Sequence, residues 1–266
     1  SLLVSFTGSD PFLREDLPEI VEAVARRHFP LLVTNGWLVS PTVARRVWEA
    51  GLEVATVTLE DADPARHDEV TGTPGSHRRA VQALKTLAGE RTRRTQKVNV
   101  RTRLRDSDVS RLPDLLVLAQ GLDAQVVVEA GYPLPLNGNG SGSASSTGLG
   151  DRLREIRARH KNLRTGGMAL DRMEQALGEG VPGCVAGRAF FNVDHRGRLS
   201  KCLEHQGGED RVGALAREGL PGLLPRLKTA HERNDCRSCW YASRAEIEGL
   251  YSMKGFLGGL AELVRS

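Results

Sequence analysis

Apolar residues in the first half of the chain come in short runs: Leu2 to Phe6, Leu31 to Thr34, Glu53 to Thr58, Lys97 to Thr102 and Gln125 to Glu129. Runs of this length read as buried β-strands. Between them, apolar positions recur at helical spacing. Leu17, Ile20, Val21 and Val24 form one stripe, with Asp16 placed to cap it and Pro18 in the first turn, where a missing N–H costs little. Ser40 and Pro41 open a second helix that carries Val43, Val47 and Trp48 and stops at Gly51. Ala80, Val81, Leu84 and Leu87 mark a third, from Ser76 to Leu87, and a fourth runs from Val109 to Gln120. Strand followed by helix, repeated with strand runs that lack polar alternation, predicts an α/β fold: a parallel sheet covered by helices, as a TIM-type (β/α) barrel or part of one.

The pattern breaks between Tyr132 and Gly150. Asn137 to Gly150 holds five Gly and four Ser in fourteen residues, a composition that buries too little apolar surface to order itself. The expected organisation is a partial barrel over 1–135, a Gly/Ser-rich linker or mobile loop over 136–150, and a small α+β domain over 151–266 that begins with a basic helix from Asp151 to Lys161.

Composition adds mainly exclusions. Hydrophobic residues at 39% and charged residues at 26% are those of an ordinary globular protein. No apolar run reaches membrane-spanning length and no signal peptide opens the chain, so neither a membrane nor a secretory route is expected, and the expected location is cytoplasmic. A net charge of +4, with both signs interspersed, gives only weak support for a nucleic-acid partner, and none is expected.

The chemistry lies in four cysteines. Cys184 and Cys202 stand seventeen residues apart, and Cys236 and Cys239 form a CxxC pair. A CxxC turn presents two thiolates to one metal. Between the first two cysteines, strand-like arms flank the turn Asp194-His195-Arg196-Gly197, so a hairpin would carry Cys184 and Cys202 to its open end. Spacing alone leaves zinc, an iron–sulfur cluster and unligated thiols all open. His195 and His205 are near enough in sequence to ligate, or lie on the surface.

Other residues carry a resemblance. Val4 to Pro11, with Gly8-Ser9-Asp10-Pro11 at its end and a helix beyond, resembles the radical S-adenosylmethionine (SAM) enzymes, whose second barrel strand ends in a Gly-Gly-Glu-Pro loop. Val33-Thr34-Asn35-Gly36 is similar to that family's third-strand "TNG" segment. Thr56 to Glu60, with Pro64 to Asp68 and Gly72 beyond, resembles the fourth strand and the loop after it. Gly75 to Ala80 opens the next helix as the family's does. Cys184-x12-Gly197-x4-Cys202, then Arg211 to Leu215, then Cys236-x2-Cys239, resembles the SPASM or twitch auxiliary-cluster domain that follows the barrel. Four cysteines suit the short, one-cluster form, as in the family's aminocyclitol dehydrogenases.

The resemblance implies SAM and an auxiliary 4Fe–4S cluster as cofactors, with Cys184, Cys202, Cys236 and Cys239 as metal ligands. It implies SAM contacts at Gly8, Ser9, Asp10, Thr34, Asn35, Thr58, Asn99 and Arg101, with Glu60 and Glu129 at comparable strand ends. For Asp10 the alternative is a cap on the following helix; for the later residues it is strand-end packing or an ion pair. The implied activity is hydrogen abstraction from a small-molecule or peptide substrate, with an electron donor such as flavodoxin or ferredoxin. Two departures stand out. Asp10 is shorter than the family's Glu, and no cysteine precedes Cys184, so the CxxxCxxC loop of the radical-forming cluster is expected upstream of Ser1 and this stretch alone is not expected to form the radical. A degenerate barrel that keeps a structural zinc or iron–sulfur site as a scaffold is the rival reading.

Overall fold

The computed structural model describes residues 3–130 and 148–251, which fall into two compact units that divide between Leu177 and Gly178. The first is built on five strands: β1 (Leu3–Phe6), β2 (Phe29–Thr34), β3 (Val54–Thr58), β4 (Lys97–Leu104) and β5 (Gln125–Ala130). They form one parallel sheet in the order β1-β2-β3-β4-β5. Each connection runs through helix: α1 (Leu17–Ala25), α2 (Pro41–Glu49), α3 (Pro64–Thr71) with α4 (Ser76–Gly89), and α5 (Leu112–Gly121).

Sheet polarity is sharper than the sequence suggests. Leu32, Ala55, Val57, Val98, Val100, Val126 and Val128 lie on one face, each at most 2% exposed. Helices cover this face, with α4 on β3 and β4 and α5 on β5. The intervening residues Thr56, Thr58, Asn99 and Arg101 are half-buried on the other face. The strands therefore do alternate, contrary to the expectation of unbroken apolar runs. One row is dry and apolar, the other polar.

Local signals explain most helix starts. Ser40 Oγ accepts the amide of Val43 at the head of α2, and Asp63 Oδ1 accepts that of Arg66 at the head of α3. The stretch from Pro64, expected as a loop, is thus a helix, which Gly72 closes at φ +66. It escapes periodicity because only His67 is buried along it. Asp16 does not cap α1; its carboxylate pairs with Arg14 at 2.6 Å. Expected as one helix from Val109, the fourth begins as a 3-10 turn over Asp106–Arg111, and α-geometry starts only at Leu112 beside Pro113.

The boundary expected at residue 151 also moves. Helices α6 (Leu149–Arg159), α7 (Gly167–Asp171) and α8 (Met173–Leu177) belong to the first unit. The cause is backbone pairing: the Val126 amide donates to the Asn162 carbonyl and the Arg164 amide to the Val126 carbonyl, both at 2.8 Å. Residues 162–164 thereby prolong the parallel sheet beyond β5. Most of the expected linker at 136–150 lies outside the described residues, and its last two residues are already in α6.

In the second unit, β6 (Asn192–Val193), β7 (Arg198–Ser200) and β8 (Arg211–Ala214) form an antiparallel sheet. Asp194 closes the β6–β7 turn by accepting the amides of Arg196 and Arg198 at 2.8 and 3.0 Å. Helix α9 (Leu215–Glu232), broken at Gly219, lays Leu223 and Leu227 on Leu199 and Val212. A last helix, α10 (Ala242–Tyr251), follows the CxxC.

Two predictions follow from the first unit. A methyl at Gly36, where φ is +87, would lie 2.9 Å from Ala83 Cβ and 3.2 Å from Ala80 Cα. Gly36→Ala should therefore cost about 2 kcal/mol in denaturant unfolding through strain and overpacking. Asp68 accepts the amides of His77 and Gly75 and the Ser76 hydroxyl at the head of α4, and these donors hold its carboxyl at about 2. A depressed carboxyl stabilises the fold fully above its ordinary value of 3.8, and the contribution fades as pH falls toward about 2. Asp68→Asn should flatten that stretch of the stability–pH curve, and an unchanged slope would count against the assignment.

Candidate functional site

The second unit brings the four cysteines into one neighbourhood. None is in a disulfide; Cys184 is buried and the other three are half-buried. Burial pushes the Cys239 thiol up to about 12, Arg244 opposing, and negative charge on Cys184 and Cys236 adds to the rise. Burial likewise raises Cys202, the amides of His205 and Glu204 oppose, and Cys184 and Cys236 again add. Each of these two thiols therefore feels both of the others. Bare thiolates would repel one another here, and a cationic core would reverse the balance.

Soft, uncharged thiols grouped in a partly dry pocket fit zinc or iron–sulfur as a donor set. Among the described residues, no three Cys, His, Asp or Glu side chains stand within reach of one metal ion.

Two side chains that the spacing of motifs does not single out link the cysteine segments. Asn234 Nδ2 donates to the Cys184 carbonyl at 2.9 Å, while its Oδ1 accepts Lys201 Nζ at 3.1 Å and the Cys236 amide at 3.3 Å. Arg244 joins the Cys239 carbonyl at 2.6 Å to the Val181 carbonyl at 2.8 Å. Trp240 is 1% exposed beneath that guanidinium. His205 points Nε2 at Cys236 Sγ, 3.7 Å away, and its Nδ1 is 3.6 Å from Asp210, whose other oxygen holds Lys201 Nζ at 2.8 Å. His195 sits exposed in the β6–β7 turn, where Nε2 accepts from Arg196. A cavity of about 790 Å³ opens beside this centre, with His205, Cys236, Arg211 and Arg237 in its wall.

In the first unit the parallel strands carry the other expected residues to one edge of the sheet. Asp10 is 8% exposed and both its oxygens are occupied: Oδ1 accepts the Phe12 amide, while Oδ2 accepts the Thr34 hydroxyl at 2.7 Å and the Asn35 amide at 3.0 Å. It caps a short 3-10 helix over Pro11–Leu13 and sews the end of β1 to the end of β2. Gly8 and Ser9 are exposed just before it, Gly8 at φ +128 with open space where a Cβ would stand. Asn35 is exposed, and its own Oδ1 accepts the Trp37 amide.

A second group lies on the polar sheet face. Arg101 Nη2 donates to Thr58 Oγ1 at 3.0 Å, and its Nε is 3.8 Å from Glu129 Oε2. Asn99 is one row down the same face. Its Oδ1 is buried without a hydrogen-bond partner, whereas the Nε of Arg101, also without a hydrogen bond, faces the Glu129 carboxylate as an ion pair. Glu60, by contrast, is engaged by Arg103 at 2.6 Å.

Residues 2–100 match the family described as the Radical SAM superfamily. The chain is 26% identical over 253 residues, 89% of its own length, to a protein of Pyrobaculum aerophilum named "Probable GTP 3',8-cyclase", and 26% identical over 87 residues, 32% of its length, to a PqqA peptide cyclase of Granulibacter bethesdensis. It spans 79% of the first and 23% of the second. Among solved structures, anSMEcpe with bound AdoMet matches over 86% of this chain and 68% of its own at TM-score 0.62 and 14% identity. Streptococcus suis SuiB matches over 95% and 64% at TM-score 0.63 and 13% identity. The structures speak to the fold, and bear out the partial barrel; the resemblance of residues 2–100 to the radical SAM superfamily is borne out with it.

If the thiols act as one centre, Cys236→Ala should lower the iron bound per chain by at least about tenfold after anaerobic reconstitution. Wild-type iron content in that variant would remove Cys236 from the ligand set.

Proposed function

We propose that the chain is the greater part of a radical SAM enzyme whose first unit binds SAM at the C-terminal ends of its strands and whose second unit holds an auxiliary 4Fe–4S cluster on Cys184, Cys202, Cys236 and Cys239. The observation that carries this is Asn99 Oδ1, buried without a hydrogen-bond partner within the radical SAM match and next to the Thr58–Arg101–Glu129 cluster on the same polar sheet face. The chemistry that bound SAM supplies in such enzymes is hydrogen abstraction after reductive cleavage of its sulfonium C–S bond.

In this reading Arg101 offers a fixed cation to the methionyl carboxylate, held in place by Thr58 and Glu129. Asn99 Oδ1 accepts from an amine or hydroxyl. Asp10 locks the Gly8–Ser9 loop against Thr34 and Asn35, which leaves backbone groups of Gly8 and Ser9 for the ligand, and its Oδ1, which accepts only the Phe12 amide, keeps a lone pair for the methionyl amine. No thiol precedes Cys184, so these residues cannot themselves hold the cluster that delivers the cleaving electron. A four-cysteine auxiliary centre leaves no open iron and suits electron transfer to or from a donor such as flavodoxin or ferredoxin.

A peptide is the substrate class favoured by the PqqA peptide cyclase relative and by a SuiB structure bound to precursor peptide SuiA. A small molecule is the second reading, favoured because the GTP cyclase relative spans most of the chain. The test is SAM binding by equilibrium dialysis: Asn99→Ala and Arg101→Ala should each weaken it about tenfold, the worth of one buried polar contact. SAM binding that neither change affects would overturn the assignment of this face, and a scaffold without catalysis would show no SAM-dependent 5′-deoxyadenosine in the intact, reconstituted protein.

A further inference from the structure

Arg244 is 1% exposed, an unusual place for a guanidinium. Its Nε donates to Glu248 at 2.6 Å, Nη1 to the Cys239 carbonyl at 2.6 Å, and Nη2 to the Val181 and Pro182 carbonyls at 2.8 and 3.4 Å. Nη1 also stands 4.0 Å from Cys239 Sγ, and the guanidinium lies over the Trp240 ring at 5.4 Å. A buried ion pair is weak support for stability, since apolar residues of the same size commonly replace it without loss. The placement of this one suggests another use. Lys201, a second buried cation near the thiols among the described residues, spends its ammonium on Asp210 and Asn234, whereas Arg244 faces sulfur directly.

We propose that Arg244 is a positioning residue of the thiol centre that compensates its negative charge, clamping the Cys239 loop to the segment ahead of Cys184 and favouring the reduced state of the core. The proposal rests on the iron–sulfur reading above. A doubly positive 4Fe–4S core on four thiolates is a dianion, and uptake of one electron, supplied by dithionite in a titration, makes it a trianion. A cation fixed against one sulfur stabilises the trianion more than the dianion and so raises the midpoint potential. Glu248 partly cancels that cation, so the two side chains should push the potential in opposite directions.

The test is a redox titration followed by electron paramagnetic resonance on the full chain, reconstituted anaerobically, with iron and sulfide counted first. Arg244→Lys should keep both the cluster and a midpoint close to wild type. Glu248→Gln should shift the midpoint upward. The double variant Arg244→Gln/Glu248→Gln, which removes cation and counter-charge together, should shift it below that of Glu248→Gln. Equal midpoints in Glu248→Gln and the double variant would overturn the proposal, as would loss of iron from the Lys variant. A wild-type chain that takes up no iron–sulfur cluster would instead refute the underlying reading, and the iron and sulfide count separates that failure from this one.

Discussion

Four sulfur donors held close together in a partly dry pocket pose a charge problem that shapes the whole second unit. Burial is the main reason these thiols resist ionisation, Cys239 reaching about 12, and like charge on Cys184 and Cys236 adds to it. The surrounding protein supplies partial relief: amide donors at Cys202, the guanidinium of Arg244 at Cys239, and the imidazole of His205 at Cys236. In the proposed reading a metal core supplies the rest of the relief. The short strands, the turn at Asp194 and the kinked helix α9 all serve to bring remote segments to that one place.

The first unit solves a different problem with one device, a parallel sheet whose two faces have opposite character. The apolar row from Leu32 to Val128 pays the entropic cost of folding by burial against helices. That frees the opposite row to carry Thr58, Asn99 and Arg101, polar groups whose arrangement is fixed by backbone register: Thr56 pairs with Asn99 and Thr58 with Arg101 across β3 and β4. Preorganisation of this kind lets a charged ligand meet ready-made partners.

Much of this was legible in the chain. Strand positions follow from short apolar runs, and α2 follows from Ser40 and Pro41, because such signals act within a few residues. The hairpin between Cys184 and Cys202 is readable from Asp194 to Gly197 for the same reason. What escapes depends on contacts distant in sequence or on helices without an apolar stripe. Helix α3 buries only His67, so only the Asp63–Pro64 start betrays it. The extension of the sheet by residues 162–164, and with it the boundary at Leu177, depends on hydrogen bonds to Val126 that no local pattern announces. Asn234 and Arg244 look like ordinary polar residues, and their importance comes from the carbonyls and sulfur they meet. Asp10 is the instructive case between the two, a carboxylate whose position the motif marks and whose bonds to Phe12, Thr34 and Asn35 only the fold reveals.

The central claim is that the four thiols act together on one polynuclear core. Anaerobic reconstitution with iron and sulfide, elemental analysis, and alkylation of accessible thiols before and after loading test it most directly. The account predicts four irons and four sulfides per chain, no zinc, and all four cysteines shielded from alkylation in the loaded protein. One zinc per chain, or cysteines that alkylate independently whatever the metal load, would contradict it.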